Sequence, residues 1–476
     1  MRLSFEGVGW RFPVLTLALS LAGAVQAQSL SVLLERARTG EPTYLGAKTN
    51  VLAAQARNTQ AIGAMLPQLS ATASSNENDR KYKTRNSRVP ETRDQYDSYS
   101  AQISLTQPLV RYANIMGWRQ ARAAVGQAEH QLAGAEQELF AKLVSAWFDL
   151  LAARDAVAFT GRQAEALQRQ WEIVSRGSEL GVYGQPQVDE ARTKLDQALS
   201  DAVVAVTEVH LKRAALEQLV GTLPESDLPY MHGEVALALP SKDSLEKWLE
   251  NVETGNPNIL AAMQAFEAAS AEVSKQSAGH FPTLDLVASY GKNGQPVGGF
   301  PGQAGYDIEQ GTVGLQLNVP LFSGGTQSAK VDEALAQKEK ARLDLEVARR
   351  TAALNTKQAW FGWHGAFART RAGTQAVKSA RSALAQARAG IENGLKTELD
   401  VLQAEQQLRA GQRDFRKGRY DQVVALIRLL AASGTLTDGD VAALDSLLIK
   451  SPDAAEPPTE ARMIKVSGRC EVGRNP

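Results

Sequence analysis

The sequence has little of what an enzyme needs. Its 476 residues include one cysteine, Cys470, which excludes an intramolecular disulfide and a thiolate zinc site. The 5 histidines are scattered, and no HExxH, GxSxG or GxxxxGK(S/T) motif occurs. We therefore expect no catalytic activity and no bound cofactor or metal.

Excess charge and long apolar runs are also missing. The 52 Lys and Arg residues balance 52 Asp and Glu residues, so the chain lacks the basic footprint of a nucleic-acid binder. The mean hydropathy is -0.26. After the N-terminus, no stretch approaches the roughly 20 apolar residues that a membrane-spanning helix requires. This excludes a bundle of transmembrane helices.

The N-terminus has the layout of an export signal. Arg2 and Arg11 precede an apolar stretch at 12–25, and small residues then lead to a cleavage point after Ala27. We expect residues 1–27 to be removed and the mature chain to act beyond the inner membrane. The alternative is a buried helix in a cytosolic protein. Since no cysteine follows the apolar stretch, no N-terminal lipid attachment is expected.

The rest of the chain is one unit written twice. Short anchors return about 213 residues later in the same order: Gly40-Glu41-Pro42 as Gly255-Asn256-Pro257, Ala146-Trp147-Phe148 as Ala359-Trp360-Phe361, Gly181 as Gly394, and Gly221-Thr222-Leu223 as Gly434-Thr435-Leu436. So long a period indicates a duplicated half and not a solenoid. We place the two structural repeats at 28–240 and 241–450, followed by a disordered tail at 451–476.

Each repeat is predicted to be mainly helical. A half-length helix precedes a β-hairpin, a long helix free of proline and a return helix that begins after a glycine turn. At 1.5 Å per residue, each long helix extends about 100 Å. The predicted elements are hairpin 67–110, long helix 113–180, return helix 186–221 and an equatorial segment 222–240 in the first repeat, and hairpin 282–322, long helix 326–393 and return helix 398–432 in the second.

Four segments alternate apolar and polar residues as β-strands do. In the clearest, Val313, Leu315 and Leu317 alternate with Gly314 and Gln316. Each strand has room for about 10–12 residues, which suits a tilted membrane strand. Because open strand edges are not tolerated in lipid, four strands from one chain need strands from other subunits to close a barrel. The alternative is two hairpins that cap a periplasmic helical bundle.

Taken together, these segments resemble the TolC family of outer-membrane exit ducts. The resemblance covers about residues 29–448 and is carried by the duplication and three motifs: His280-Phe281-Pro282-Thr283-Leu284-Asp285-Leu286, Val319-Pro320-Leu321-Phe322-Ser323-Gly324-Gly325 and Asp400-Val401-Leu402. It implies a homotrimer in the outer membrane of a Gram-negative cell. Three times four strands would form a twelve-stranded barrel, and the long coiled-coil helices would form an α-barrel tunnel across the periplasm. The partners it implies are outer-membrane lipid, a periplasmic adaptor, and an inner-membrane ABC exporter or proton-driven pump.

The glycine turn before the second return helix offers the best candidate site. Asp400 opens that helix, where a carboxylate stabilises the N-terminus as part of a capping box. In a symmetric tube, Asp400 of each subunit would also contribute to a ring of carboxylates that attracts cations. Both roles are compatible.

The resemblance adds further site residues. It places the constriction at Asp400 and at Gln403, where the family pattern has a second Asp. The family's entrance is held shut by a Tyr and an Arg on one coil that contact a Thr and an Asp on the other. Those positions here are Ile391, Lys396, Pro186 and Gln187, so only the cation of Lys396 is kept, with Asp189 or Glu190 as its expected partner. The predicted turns of the tip are Gly181, Gly184 and Gly394.

The leading functional hypothesis is a passive outer-membrane duct for type I secretion, with an RTX toxin of the adenylate cyclase or haemolysin kind as a plausible cargo. The nearest alternative is the outer-membrane component of a multidrug efflux pump. An alternative of a different class is a soluble periplasmic adaptor, although adaptors usually have one helical hairpin and not a duplicated design.

Overall fold

The computed structural model describes residues 29–83, 85, 91–223, 230–231, 235–237, 244–298, 303–446, 448–449 and 462–464. The predicted export signal lies outside the described residues. The helices are α1 Leu30–Gly40, α2 Pro42–Gly63, α3 Tyr112–Glu179, α4 Gln185–Val220, α5 Leu245–Gly255, α6 Pro257–Ser277, α7 Thr326–Glu392, α8 Glu398–Ser433 and α9 Asp438–Asp445. The strands are β1 Gln68–Tyr82, β2 Thr92–Val110, β3 Tyr230–Met231, β4 Val235–Leu237, β5 Thr283–Val297, β6 Ala304–Asn318, β7 Leu448–Ile449 and β8 Arg462–Ile464.

The duplication is visible in matched helices. The long helices α3 and α7 have 68 and 67 residues, and the return helices α4 and α8 have 36 each. The half-length helix of each repeat is broken, whereas the sequence pattern indicated one continuous helix. The break falls where Glu41 or Asn256 caps a new helix that begins with Pro42 or Pro257. Proline is favoured at a first helical position and cannot continue a preceding helix, which explains both breaks.

Strands β1, β2, β5 and β6 form one antiparallel sheet in that order. They contain 15, 19, 15 and 15 residues and are longer than the expected 10–12. The extra length lies at the loop end of each hairpin. The two hairpins pair with each other through β2 and β5 only as far as Tyr99 and Gly294, whereas β1 and β2 remain paired as far as Tyr82 and Thr92. The outer edges of β1 and β6 pair with no further strand in the described part of the chain.

The register brings apolar side chains onto one face of this sheet. Opposed pairs on that face include Leu69 with Leu105, Ile103 with Tyr290, Leu284 with Leu317 and Leu286 with Leu315. The other face is lined by small polar residues, and the hydroxyls of Ser70 and Ser104 lie 2.9 Å apart across β1 and β2. A sheet with one apolar and one polar face is suited to a boundary between lipid and water.

The helices lie side by side as a wall. α3 packs against α2 and α6 near the sheet and against α4 and α8 farther along, while α7 packs against α6 and α8. The largest apolar core lies at mid-length, where Trp147 and Phe148 of α3 pack with Val423 and Leu426 of α8. No helix among the described residues has the length and apolarity needed to cross a membrane. The predicted fold class, mainly helical with four strands of the chain in one sheet, is confirmed.

Two short pairings lie outside these main elements. β3 pairs with β7, and β4 pairs in parallel with β8. Residues 462–464 thus depart from the disorder expected for 451–476, because they complete a two-stranded sheet with the equatorial segment. The rest of that tail and most of 222–240 lie outside the described residues.

Candidate constriction at the helical turns

The turn between α7 and α8 is a tight helix-ending motif. Gly394 has a left-handed φ of 68°. The N–H of Leu395 donates to the carbonyl of Gly390 at 2.8 Å, and the N–H of Gly394 donates to that of Ile391 at 2.9 Å. These two bonds satisfy carbonyls that the end of α7 leaves free, as in a Schellman motif.

The turn between α3 and α4 repeats this geometry. Gly181 has a φ of 76°. The N–H of Val182 donates to Gly177 at 2.8 Å, and the N–H of Gly181 donates to Ser178 at 3.0 Å. The two turns therefore share one backbone conformation, which requires the glycine in both because other residues rarely adopt this φ.

Asp400 is held as a helix cap. Its Oδ2 accepts from the N–H of Thr397 at 2.8 Å and from the Thr397 hydroxyl at 2.9 Å, while its own N–H donates to the Thr397 Oγ1 at 3.3 Å. The backbone and side-chain bonds from Thr397 lower the pKa of Asp400, with a further contribution from nearby Lys396. The carboxylate is thus fixed in its charged form at the N-terminus of α8.

Lys396 makes a different contact from the one expected. Its Nζ lies 3.6 Å from Oδ1 of Asp400. Asp189 instead accepts from the side chain of Gln185 at 3.0 Å, and Glu190 pairs with Lys194 at 2.6 Å. The expected contact of Lys396 with Asp189 or Glu190 is therefore not formed within this protomer. Each of these partners lies one helical turn away on its own chain segment, which costs less side-chain ordering than a contact between coils.

The remaining predicted residues fall into two places. Gln187 caps α4, because its Oε1 accepts from the N–H of Gly184 at 2.6 Å. Gly184 is thus the N-cap of α4, with an ordinary φ of -86°. Gln403 lies one turn beyond Asp400 and lines a cavity of about 540 Å³ between α3 and α8. The structure brings Asp400 and Lys396 together, and it places Gln187, Asp189 and Glu190 on the other hairpin.

Exposed apolar side chains at the turns were missed by sequence reasoning. Leu180 is 80% exposed and Leu395 is 81% exposed, and Val182 beside Gly181 is also exposed. Each flanks the glycine of its turn, and that position was the available signal. Grouped exposed apolar side chains are often found at contacts between proteins.

The fold and these turns define a class of protein. A sheet with one apolar face, joined to helices of about 100 Å that end in two tight turns, is typical of outer-membrane channels that carry a long helical extension. The comparisons with known proteins identify the family. The family model for outer membrane efflux proteins matches residues 33–222 and 248–435. The chain therefore belongs to the outer membrane efflux protein family, and its location is the outer membrane. This family consists of channels and not of enzymes.

Individual relatives agree with this assignment. The outer membrane protein TolC of Vibrio cholerae is 28% identical over 89% of this chain and 94% of its own length. The proteases secretion protein PrtF of Dickeya chrysanthemi is 27% identical over 92% of this chain and 95% of its own. The crystal structure of the Campylobacter jejuni CmeC outer membrane channel has a TM-score of 0.71 at 14% identity and covers 94% of this chain and 98% of that chain. The resemblance to the TolC family is thus confirmed.

Proposed function

We propose that this protein is the passive outer-membrane duct of a type I secretion system. Three copies form one tunnel, which receives a protein from an inner-membrane ABC exporter and a periplasmic adaptor and releases it outside the cell. The observation that carries the proposal is the four-stranded sheet, which is apolar on one face and, among the described residues, unpaired at both edges. PrtF, whose name refers to protease secretion, supports the choice of a protein cargo.

The sheet edges support the trimer. β1 and β6 are the outer strands of a sheet whose apolar face suits lipid, and unpaired backbone groups are not tolerated there. If β6 of one copy pairs with β1 of the next, a closed barrel removes both edges. Because the diameter of a barrel grows with its strand number, twelve strands from three copies give a wider lumen than the roughly eight strands whose interior side chains fill.

The helical edges support the same arrangement. α2 and α4 form one edge of the wall and α7 forms the other. Both edges carry large exposed apolar side chains at helical spacing: Leu52, Leu199, Val203 and Val206 on the first, and Leu343, Val347, Leu354 and Phe361 on the second. Such stripes are typical of helices that pack against a neighbour, so a second copy is expected to cover each edge.

The turns are proposed as the periplasmic entrance. In the trimer, Asp400 and Gln403 of three copies face one another at the constriction, with Lys396 beside them. The exposed Leu180, Val182 and Leu395 at the outer end of the turns provide an apolar contact for the adaptor. We expect a cation-selective pore whose selectivity falls in Asp400→Ala. Single-channel reversal potentials that are unchanged in this variant would remove Asp400 from the constriction.

Secretion and efflux are separated by cargo. Multidrug efflux is the second candidate, favoured by the family description as efflux proteins. A deletion strain and its complemented control should be compared for proteins in the culture medium and for drug tolerance. Loss of a secreted protein with unchanged drug tolerance supports secretion, and RTX-type toxins are the first class to test. Loss of tolerance with unchanged secretion would support efflux instead.

A further inference from the structure

A wide groove runs between α3 and α6 on one face of the helical wall, close to the sheet. It holds a cavity of about 1000 Å³, which we call the α3–α6 groove. Aromatic, charged and polar side chains line it, among them Trp118, Arg119 and Arg122 on α3 and Gln264, Glu267 and Ser270 on α6. The function proposed above gives this groove no role.

Exposed apolar side chains surround the level at which the sheet meets the helices. Leu321 and Phe322, between β6 and α7, are 91% and 90% exposed. Tyr112 at the start of α3 lies beside Phe281, with ring centroids 5.7 Å apart, and both side chains are exposed. Aromatic side chains gather where a membrane β-barrel meets the interface with water. We therefore expect the membrane surface on the helical side at this level.

The α3–α6 groove lies on a face of α3 that meets this surface. Ile115 is exposed one turn into α3, although α3 lies between α2 and α6 and not at an edge of the wall. A large exposed apolar side chain is favoured at a lipid boundary and not in an aqueous lumen, so this face is directed outward. Arg119 and Arg122 follow Ile115 at i+4 and i+7 and share its face. At 1.5 Å per residue they lie about 6 and 10 Å farther from the sheet, close to the depth of a headgroup layer of roughly 5–8 Å.

The two arginines are available to a ligand. Both side chains are exposed, and neither forms an ion pair in the described part of the chain. The Arg122 guanidinium lies over the ring of Trp118, 5.9 Å from its centroid. An arginine stacked on an aromatic ring keeps its N–H groups free for a phosphate, which the planar guanidinium binds through two parallel bonds. The end of the groove near the sheet is thus a candidate phosphate site.

Helix direction separates the charges of the groove. Side chains of an α-helix lean toward its N-terminus. Because α3 begins at the sheet and α6 runs toward it, Arg122 leans toward the membrane surface and Glu267 leans away from it. Gln264 lies one turn farther from the sheet, against Gly126 of α3, and Glu129 lies two turns beyond Arg122. The groove is therefore cationic near the membrane and carries carboxylate and amide oxygens farther away.

We propose that the α3–α6 groove binds the headgroup of phosphatidylethanolamine from the membrane leaflet on the helical side. Arg119 and Arg122 hold the phosphate, and Glu267 accepts hydrogen bonds from the ammonium, which lies one ethylene bridge beyond that phosphate. Charge complementarity selects this lipid. Phosphatidylglycerol has no cation for Glu267, and the trimethylammonium of phosphatidylcholine has no N–H to donate. The inference uses the outer-membrane location of the protein and does not depend on its cargo.

Native mass spectrometry measures the bound lipid directly. The purified protein in detergent is titrated with palmitoyl-oleoyl phosphatidylethanolamine, and the lipid adducts are counted at each concentration. The test variant is Arg119→Gln with Arg122→Gln. The control is Arg349→Gln with Arg371→Gln, the same charge change at two exposed arginines of α7. These lie roughly 35 and 70 Å from the sheet end of that helix and far from the groove.

We expect the first adducts to weaken about tenfold or more in the test variant, because hydrogen bonds to a charged phosphate are lost, and to be unchanged in the control. Arg119→Lys with Arg122→Lys keeps the charge without the planar fork and should retain part of the binding. Equal binding by the test and control variants would overturn the proposal and leave the groove to a protein partner.

Two further comparisons identify the lipid. Wild type should prefer phosphatidylethanolamine to phosphatidylglycerol, and Glu267→Gln should abolish that preference without weakening phosphatidylglycerol. Equal binding of both lipids by wild type would overturn the assignment of the ammonium to Glu267. Soluble glycerophosphoethanolamine, which lacks acyl chains, should compete poorly. Competition by this compound as strong as that by the lipid would overturn the membrane as the source of the ligand.

Discussion

The two turns at the helical end have the same backbone and different side chains. Gly181 and Gly394 adopt the same left-handed conformation, and the same pair of hydrogen bonds ends α3 and α7. After the turn, α4 is capped by Gln187, whereas α8 is capped by Thr397 with Asp400. Both turns thus share the conformation that brings the chain back, whereas the cap of the following helix is the neutral Gln187 at the first turn and the charged Asp400 at the second. This difference is the reason to propose the constriction at the second turn.

The largest expected effect on stability follows from the left-handed backbone conformation that Gly181 and Gly394 share. Gly394→Val should lower the free energy of unfolding by about 1–2 kcal/mol, because a β-branched residue is strained at positive φ. Gly365→Ala, at an open position inside α7, is the control and should be neutral or slightly stabilising. Denaturant titration followed by helical circular dichroism measures both. Equal effects of the two variants would show that the turn does not require glycine.

The next effect distinguishes the two caps. Thr397→Ala removes the hydroxyl that accepts from the Asp400 N–H and donates to its carboxylate, at a cost of about 1 kcal/mol. Gln187→Ala, which removes the one side-chain bond to the N–H of Gly184, should cost less. The same denaturant titration ranks the two variants. If Gln187→Ala lowers the free energy of unfolding more than Thr397→Ala does, the cap at the second turn is not the more stabilising of the two.

A smaller effect depends on pH. The bonds from Thr397 lower the pKa of Asp400 in the folded protein. Its contribution to stability is therefore present above its unfolded value of about 4 and is lost as pH falls through the lower folded value. We expect wild type to melt at a higher temperature than Asp400→Asn at pH 7 and the difference to shrink and vanish as pH falls through the lowered pKa of the folded protein. A difference that persists in acid would mean that the charge of Asp400 is not responsible.

The smallest effect on stability is expected for Lys396→Gln. Its ion pair with Asp400 is partly exposed and weakly stabilising. The effect on conduction should be clearer, because removal of the cation leaves the carboxylate unbalanced in the proposed constriction. Reversal potentials should therefore shift toward greater cation selectivity, opposite to Asp400→Ala. A shift of both variants in the same direction would place one of them outside the pore.

Local chemistry explains what the sequence pattern predicts well. Glycine fixes the turns at Gly181 and Gly394 through its own backbone limits, so these turns are legible from the sequence. Proline acts in the same local way at Pro42 and Pro257, although the pattern of the surrounding residues predicts one continuous helix at each site. The alternation around Val313 predicts a strand because successive side chains of a strand point to opposite faces of the sheet. The capping role of Asp400 also follows from local sequence, because Asp400 lies three positions after Thr397, the N-cap of α8.

Contacts between distant segments are not legible in this way. The Tyr420 hydroxyl donates a hydrogen bond to Asp155, which lies 265 positions away in the sequence, and neither residue belongs to a local motif. Beyond Tyr99 and Gly294, the strands continue because the two strands of each hairpin pair with each other, although no apolar pattern continues there. The expected partner of Lys396 lies on the other coil, whereas within one protomer its Nζ lies 3.6 Å from Oδ1 of Asp400, one turn away on its own segment. In each case, the deciding interaction is set by tertiary packing or by a competing local bond.

The central claim is that three copies close one sheet and one helical tunnel. Native mass spectrometry of the protein extracted from outer membranes in mild detergent tests it most directly. The claim predicts a mass of three mature chains that falls to that of one chain on heating. Circular dichroism of the same sample should lose its β-sheet signal at that temperature. A single chain recovered from the periplasmic fraction, without membrane extraction, would contradict it.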